Sequence, residues 1–341
     1  MLCLAAGMLF FCCAAAQVKT VDSLRRLLED VKQDTTKISL HYQVAAELSG
    51  YDETAAIKYL ETGYKLAKGI GNKFYIARYY LAKGHLFYDV ARYDTARMSY
   101  DSAILLYDEL INATGPAAKK DIYRIDRADC LTGKGLLLAK FYKYQESIQY
   151  YLEAIASIEN IKGNMKDSHL ATLYGDIASN YYDLEQFENA LKYDKQGLLY
   201  LNRSTNPDRY VIGHLFVADD FNGLLQFDSA SAYLEKVRAI VLQLNRPNVD
   251  VRFYYILGGI YRKKKEWDRA LTSYQKAREA AAKMNDDFQI VNSEEGLAAC
   301  YLNTGDFGRA RTLAVNVLNE SKRLSVPIFK MQALQLLADV E

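Results

Sequence analysis

Residues 258–277 read GGIYRKKKEWDRALTSYQKA, and within them Trp267 and Ala270 form an aromatic-x-x-Ala element. The same element recurs as Tyr93/Ala96, Phe187/Ala190, Phe227/Ala230 and Phe307/Ala310. With the Ala as anchor, and Ala56 and Ser147 added from their flanking pattern, successive spacings are 40, 51, 43, 40, 40 and 40 residues. A fixed period of this size marks a repeat array. Arrays stack like units and present extended surfaces to partners more often than they build reaction centres.

Each unit shows two helical periods, A then B, with the anchor in B. Twelve residues before the anchor stand the small residues Gly84, Gly135, Ala178, Ala218, Gly258 and Ala298. Nine before it stand the bulky Phe87, Leu138, Tyr181, Phe221, Tyr261 and Tyr301. Positions three apart share a helix face, so these rows belong to one packed surface. Seven residues after the anchor come Gly63, Ala103, Ala154, Gly197, Val237, Ala277 and Val317, again compact. Large and small groups alternating on facing helices encode interdigitation, with the motif aromatic and its Ala packed together. Asp94, Glu188, Asp228 and Asp268 follow the aromatic at the start of helix B, where they complement the helix dipole.

These rows are the ones that define the tetratricopeptide repeat, and the chain resembles a tetratricopeptide array over about 300 of its 341 residues. The resemblance implies an all-α fold, a right-handed α-solenoid of antiparallel helix pairs. The family's aromatic four residues past the anchor is matched by Tyr151 and Tyr274, while Glu47, Asp194 and Ala314 depart from the family pattern. A standard repeat has 34 residues, and these have about 40. Three extra residues per helix approach the 3.6 of one turn, so lengthened helices keep their buried faces in register. Pro207, Pro247 and Pro327 each lie seventeen residues past an anchor, where the next helix A begins and proline is tolerated. Pro116, in NATGPAAKKD, marks the insertion that stretches one spacing to 51 and reads as an extended loop.

Residues 1–16, MLCLAAGMLFFCCAAA, are uncharged and too short for a stable bilayer span, and a polar stretch follows. They read as a signal peptide cut before Gln17, which predicts an exported, periplasmic protein. Residues 17–36 contain Leu24, Leu27, Leu28 and Val31 on one helical stripe and read as an N-terminal capping helix. Residues 37–341 then hold seven helix pairs and the first helix of an eighth. That ending predicts a truncated array, open to self-association through an uncapped C-terminal end. Past the leader only Cys130 and Cys300 remain, and Cys300 lies among apolar neighbours as a buried reduced thiol would.

The sequence offers little chemistry. With 43 basic and 42 acidic residues spread evenly, the net charge of +1 gives no footprint for nucleic acid or an anionic membrane. The run Arg262, Lys263, Lys264, Lys265 reads as a solvated turn. His41, His85, His169 and His214 lack metal-site spacing, Gly133-Lys134-Gly135 lacks the rest of a phosphate loop, and no nucleophile elbow occurs. Asp219 and Asp220 diverge by about 100° on a helix and cannot share one reacting atom. The expectation is a protein that is not an enzyme and takes no metal or cofactor.

In the tetratricopeptide family the second, fifth, ninth and twelfth positions of helix A line a concave face. Carried over, these are Arg78, His85, Tyr88, Thr132, Thr172, Ser179, Tyr182, Asp219, Asn222, Arg252, Tyr255, Arg262, Asn292 and Glu295. Aromatic and polar groups so mixed suit a protein or peptide partner. The leader, the DSLRRLL helix and the long units together resemble the sensory region of Bacteroidetes-type membrane histidine kinases. That resemblance implies a periplasmic input region of a signal-transduction protein. A free-standing adaptor and a cytoplasmic peptide-sensing regulator are the alternatives.

Overall fold

The computed structural model describes residues 20–113, 115–324 and 326–340. The expected leader, residues 1–16, lies outside them. Among the described residues there are sixteen α-helices and no strand. The helices fall into two compact units that meet at Leu184/Glu185. Unit 1 holds α1 (20–30), α2 (Asp34–Leu48), α3 (Glu53–Gly69), α4 (Lys73–Asp89), α5 (Tyr93–Asn112), α6 (Ala117–Lys140), α7 (Tyr144–Ile158) and α8 (Asp167–Asp183). Unit 2 holds α9 (Phe187–Leu198), α10 (Pro207–Gly223), α11 (Phe227–Leu244), α12 (Pro247–Lys263), α13 (Trp267–Met284), α14 (Asp287–Asn303), α15 (Phe307–Arg323) and α16 (Pro327–Val340). In each unit consecutive helices pack as antiparallel pairs, and each helix A also meets the next helix A, as α4 meets α6 and α12 meets α14. Each unit is therefore an α-solenoid.

The anchors explain the period. Ala56, Ala96, Ser147, Ala190, Ala230, Ala270 and Ala310 are each 0 % exposed, so no larger side chain fits without movement. Ser147 keeps the size of the row, and its hydroxyl is satisfied: it donates to the Gly135 carbonyl and accepts from Asn180 Nδ2, both at 2.8 Å. The motif aromatics behave otherwise. Each is the first residue of its helix B, yet Phe307 is 53 % exposed. The Ala, more than the ring, is the core element.

Larger rings lie four residues past the anchor. Tyr100, Tyr151 and Tyr274 are each 1 % exposed. Tyr100 lies against both Gly84 of α4 and Gly133 of α6, and Tyr151 against Gly135. A Cβ on Gly258 of α12 or Gly296 of α14 would stand 2.9 or 2.5 Å from the Tyr274 ring. One ring on helix B thus fills gaps left by glycine on its own helix A and on the next. At Ala314, where the ring is missing, Leu336 of the following helix α16 lies in the same buried cluster.

The turns from A to B repeat a backbone conformation. Ala91, Tyr142, Glu185, Leu225 and Lys265 all have φ between 57° and 61°, and Gly305 has φ 81°. All six stand five residues before an anchor. At Ala91 the turn closes with Arg92 N–H donating to the Phe87 carbonyl at 2.8 Å and Ala91 N–H to the Tyr88 carbonyl at 3.0 Å. This is the Schellman arrangement, which glycine normally supplies. Pro207, Pro247 and Pro327 open α10, α12 and α16. The insertion around Pro116 differs from the loop expected: α6 begins at Ala117 and runs 24 residues, against 17 in α4 and α12. Proline starts the helix, and the residues after it are good helix formers.

Candidate functional site

Each unit presents its own A-helix face, and the fourteen residues expected on a concave face divide seven and seven between the units. In unit 1, Arg78 of α4 reaches α6, its Nε standing 3.1 Å from Asp126 Oδ2. The same oxygen accepts from the Tyr107 hydroxyl at 3.1 Å. Burial pushes the Asp126 carboxyl up, while Arg78 and the Tyr107 hydroxyl pull it back. His85 Nδ1 lies 3.0 Å from the Tyr100 hydroxyl, and desolvation by the surrounding protein lowers its pKa. Between α6 and α8 lies a hollow of about 240 Å³ lined by Ala128, Asp129, Thr132, Ser168, His169, Thr172 and Leu173. Across it His169 Nδ1 stands 2.9 Å from Asp129 Oδ1. Thr132 and Thr172 turn their hydroxyls back onto their own helices, donating to the Ala128 and Ser168 carbonyls. Tyr88 and Tyr182 are half-buried and Ser179 is exposed.

In unit 2 the face is knitted between successive A helices. The Tyr255 hydroxyl donates to Asn292 Oδ1 at 3.1 Å, and Arg262 Nη1 is 3.5 Å from Glu295 Oε1. Burial raises the Glu295 carboxyl and Arg262 opposes the rise. The Arg252 guanidinium is exposed and lies 4.0 Å over the Phe216 ring. Asp219 is half-buried. Asn222 is 9 % exposed, and its Oδ1 has no hydrogen-bond partner. Its amide lies above Gly259 of α12, where a Cβ would be 3.4 Å from Nδ2. Asn222 and Glu295 are thus buried, while the other twelve residues remain at least partly accessible.

Sequence reasoning missed several participants. Asp129 and His169 frame the hollow, yet Asp129 shares a repeat position with Arg78, so the register could have found it. Asp126 and Asp194 lie outside the expected positions and are buried by neighbours from other helices. Burial pushes the Asp220 carboxyl up to about 10, and the negative charges of Asp194 on α9 and of Asp219 beside it act in the same direction. Cys130 and Cys300 are both buried and free. Among the described residues no cluster of three or more His, Cys, Asp or Glu is arranged for a metal ion, and no helix is long and apolar enough to cross a membrane.

No protein-family model matches the chain, and no curated protein does. Solved structures do. The apo form of RapI matches with a TM-score of 0.64 at 11 % identity, over 89 % of this chain and 98 % of that one. A Rap protein complexed with Competence and Sporulation Factor matches at 0.61 and 13 %, over 89 % and 86 %. NprR in complex with its cognate peptide NprX matches at 0.60 and 15 %, over 88 % and 82 %. At these identities the likeness is one of fold. The chain has a tetratricopeptide-like helical-repeat fold, of the kind found in the Rap and NprR proteins.

Proposed function

We propose that this chain is a peptide-binding regulator module that takes an extended segment along its A helices and catalyses no reaction. NprR, which it resembles in fold, is known in complex with a cognate peptide, and this supports the reading. The observation that carries it is the A-helix face itself, on which twelve of the fourteen expected positions stay at least partly accessible in a mixture of aromatic and polar groups. Capture from a pool of capped random-sequence heptapeptides, read by mass spectrometry, tests the proposal. Arg252→Ala should lower capture at least about tenfold and change thermal stability little, because its guanidinium is exposed on this face. Equal capture by wild type and variant, or none by wild type, overturns it.

The apolar run of residues 1–16 favours a second reading, in which the same module is exported and serves as the periplasmic input region of a signalling protein. The intact mass of the protein recovered from its host separates the two. A chain beginning at Gln17 supports export, and one that keeps residues 1–16 supports a cytoplasmic peptide-sensing regulator.

A further inference from the structure

Tyr64 of α3 and Tyr79 of α4 stack ring on ring, 4.0 Å between centroids and 18° from parallel. Tyr80 meets both rings edge-on, at 6.2 Å from Tyr64 and 5.0 Å from Tyr79. Tyr79 is 3 % exposed, and its hydroxyl donates to Glu61 Oε1 on α3 at 2.6 Å. Lys83 Nζ donates to the same hydroxyl oxygen at 3.1 Å. Tyr64 is half-buried.

This arrangement has the parts that phenol oxidation needs. A phenol gives up an electron readily only when its proton leaves with it, because the protonated radical is a strong acid. Burial first, and then Glu61, raise the Tyr79 pKa, so the proton is in place at neutral pH. Glu61 stands within proton-transfer reach to receive it, and Lys83 keeps a hydrogen bond on the oxygen left behind. The near-parallel stack sets ring carbons of Tyr64 over those of Tyr79 at about 3.5–4 Å, the ordinary contact separation. Tyr88 and Tyr93, by contrast, meet at 5.9 Å with planes 60° apart, and Tyr255 and Tyr274 at 5.6 Å and 66°.

We propose that Tyr64 and Tyr79 are a cross-linking site, at which a strong one-electron oxidant, of the class of a ferryl haem, joins α3 to α4 through a dityrosine bond. Two one-electron oxidations are needed. In one, Tyr79 loses an electron to the oxidant and its phenolic proton to Glu61 Oε1. In the other, Tyr64 loses an electron to the oxidant and its proton to water. The two phenoxyl radicals join through carbons ortho to their oxygens, and the hydrogen on each of those carbons returns as a proton to a phenol oxygen. The product is two hydrogens lighter than the parent, and the oxidant has taken up two electrons. The new bond ties the helix B of one repeat to the helix A of the next and closes the seam along which these repeats open.

Irradiating the full chain with ruthenium(II) tris-bipyridine and persulfate supplies a one-electron oxidant and tests the proposal. Tandem mass spectrometry of a digest should find the α3 peptide joined to the α4 peptide at Tyr64 and Tyr79, two hydrogens lighter than their sum. Glu61→Gln keeps the size of the side chain and removes the base. In that variant the link should form at least about tenfold more slowly, while Tyr142, which is 79 % exposed, is oxidised at an unchanged rate. Tyr79→Phe should abolish the link, and so should unfolding the wild type in urea. No link in the folded wild type, an equal rate in Glu61→Gln, or an equal yield after unfolding overturns the proposal. Should Glu61→Gln not fold, the folded and unfolded wild type decide alone.

Discussion

Leu225 and Lys265 show how much a single backbone angle can hide from sequence reading. Neither residue type favours positive φ, yet both adopt it at the same repeat position as Ala91, Tyr142 and Glu185. The left-handed region costs a residue bearing Cβ about 1–2 kcal/mol, and the hydrogen bonds of the turn hold it there. Glycine removes that penalty and adds unfolded-state entropy, leaving a gain of ~0.5 kcal/mol per site. Tyr142→Gly, Leu225→Gly and Lys265→Gly combined should raise stability by about 1–2 kcal/mol in urea titration, because distant sites add. Gly305→Ala should lower it by about 1 kcal/mol. Only at position 305 did the sequence carry the residue that signals this turn. The anchors were legible for the opposite reason: every copy meets the same close packing, and so every copy is small.

At the scale of elements, the ring between two glycines is the contact that sets how closely successive helices approach. Tyr274→Ala removes a core ring and should cost about 3–5 kcal/mol by denaturant titration. Gly296→Ala keeps the ring and crowds it, at about 1–3 kcal/mol. The sequence foretold rings at Tyr151 and Tyr274, and Tyr100 obeys the same rule. The helical course of the insertion was not legible, since Gly115-Pro116 signals a turn and also a helix start. Nor was the burial of Asp194 and Asp220. Spacing along one helix reports which residues share a face, but it does not say which residue of another helix arrives opposite.

Within each unit, contacts among the described residues run between near neighbours in sequence order, as the pairing of α12 with α13 and of α13 with α14 illustrates. Stability in such an array is close to a sum of local terms. Tyr151→Ala should therefore raise hydrogen exchange in α6 to α8 while α12 to α15 keep their protection, and a uniform rise would contradict that locality. The A-helix positions were legible only through family likeness, and burial then removed Asn222 and Glu295 from free surface. Large and small partners are matched between a helix B and the helix A that follows it: Tyr274 with Gly296, Ala314 with Leu336. A graft or natural recombination event that cuts between repeats would part these partners. A cut at the A–B turn would in the same way part Tyr274 from Gly258, so no brick of this array is self-contained, and chimeras should fold only where both helices that face the ring keep their glycine.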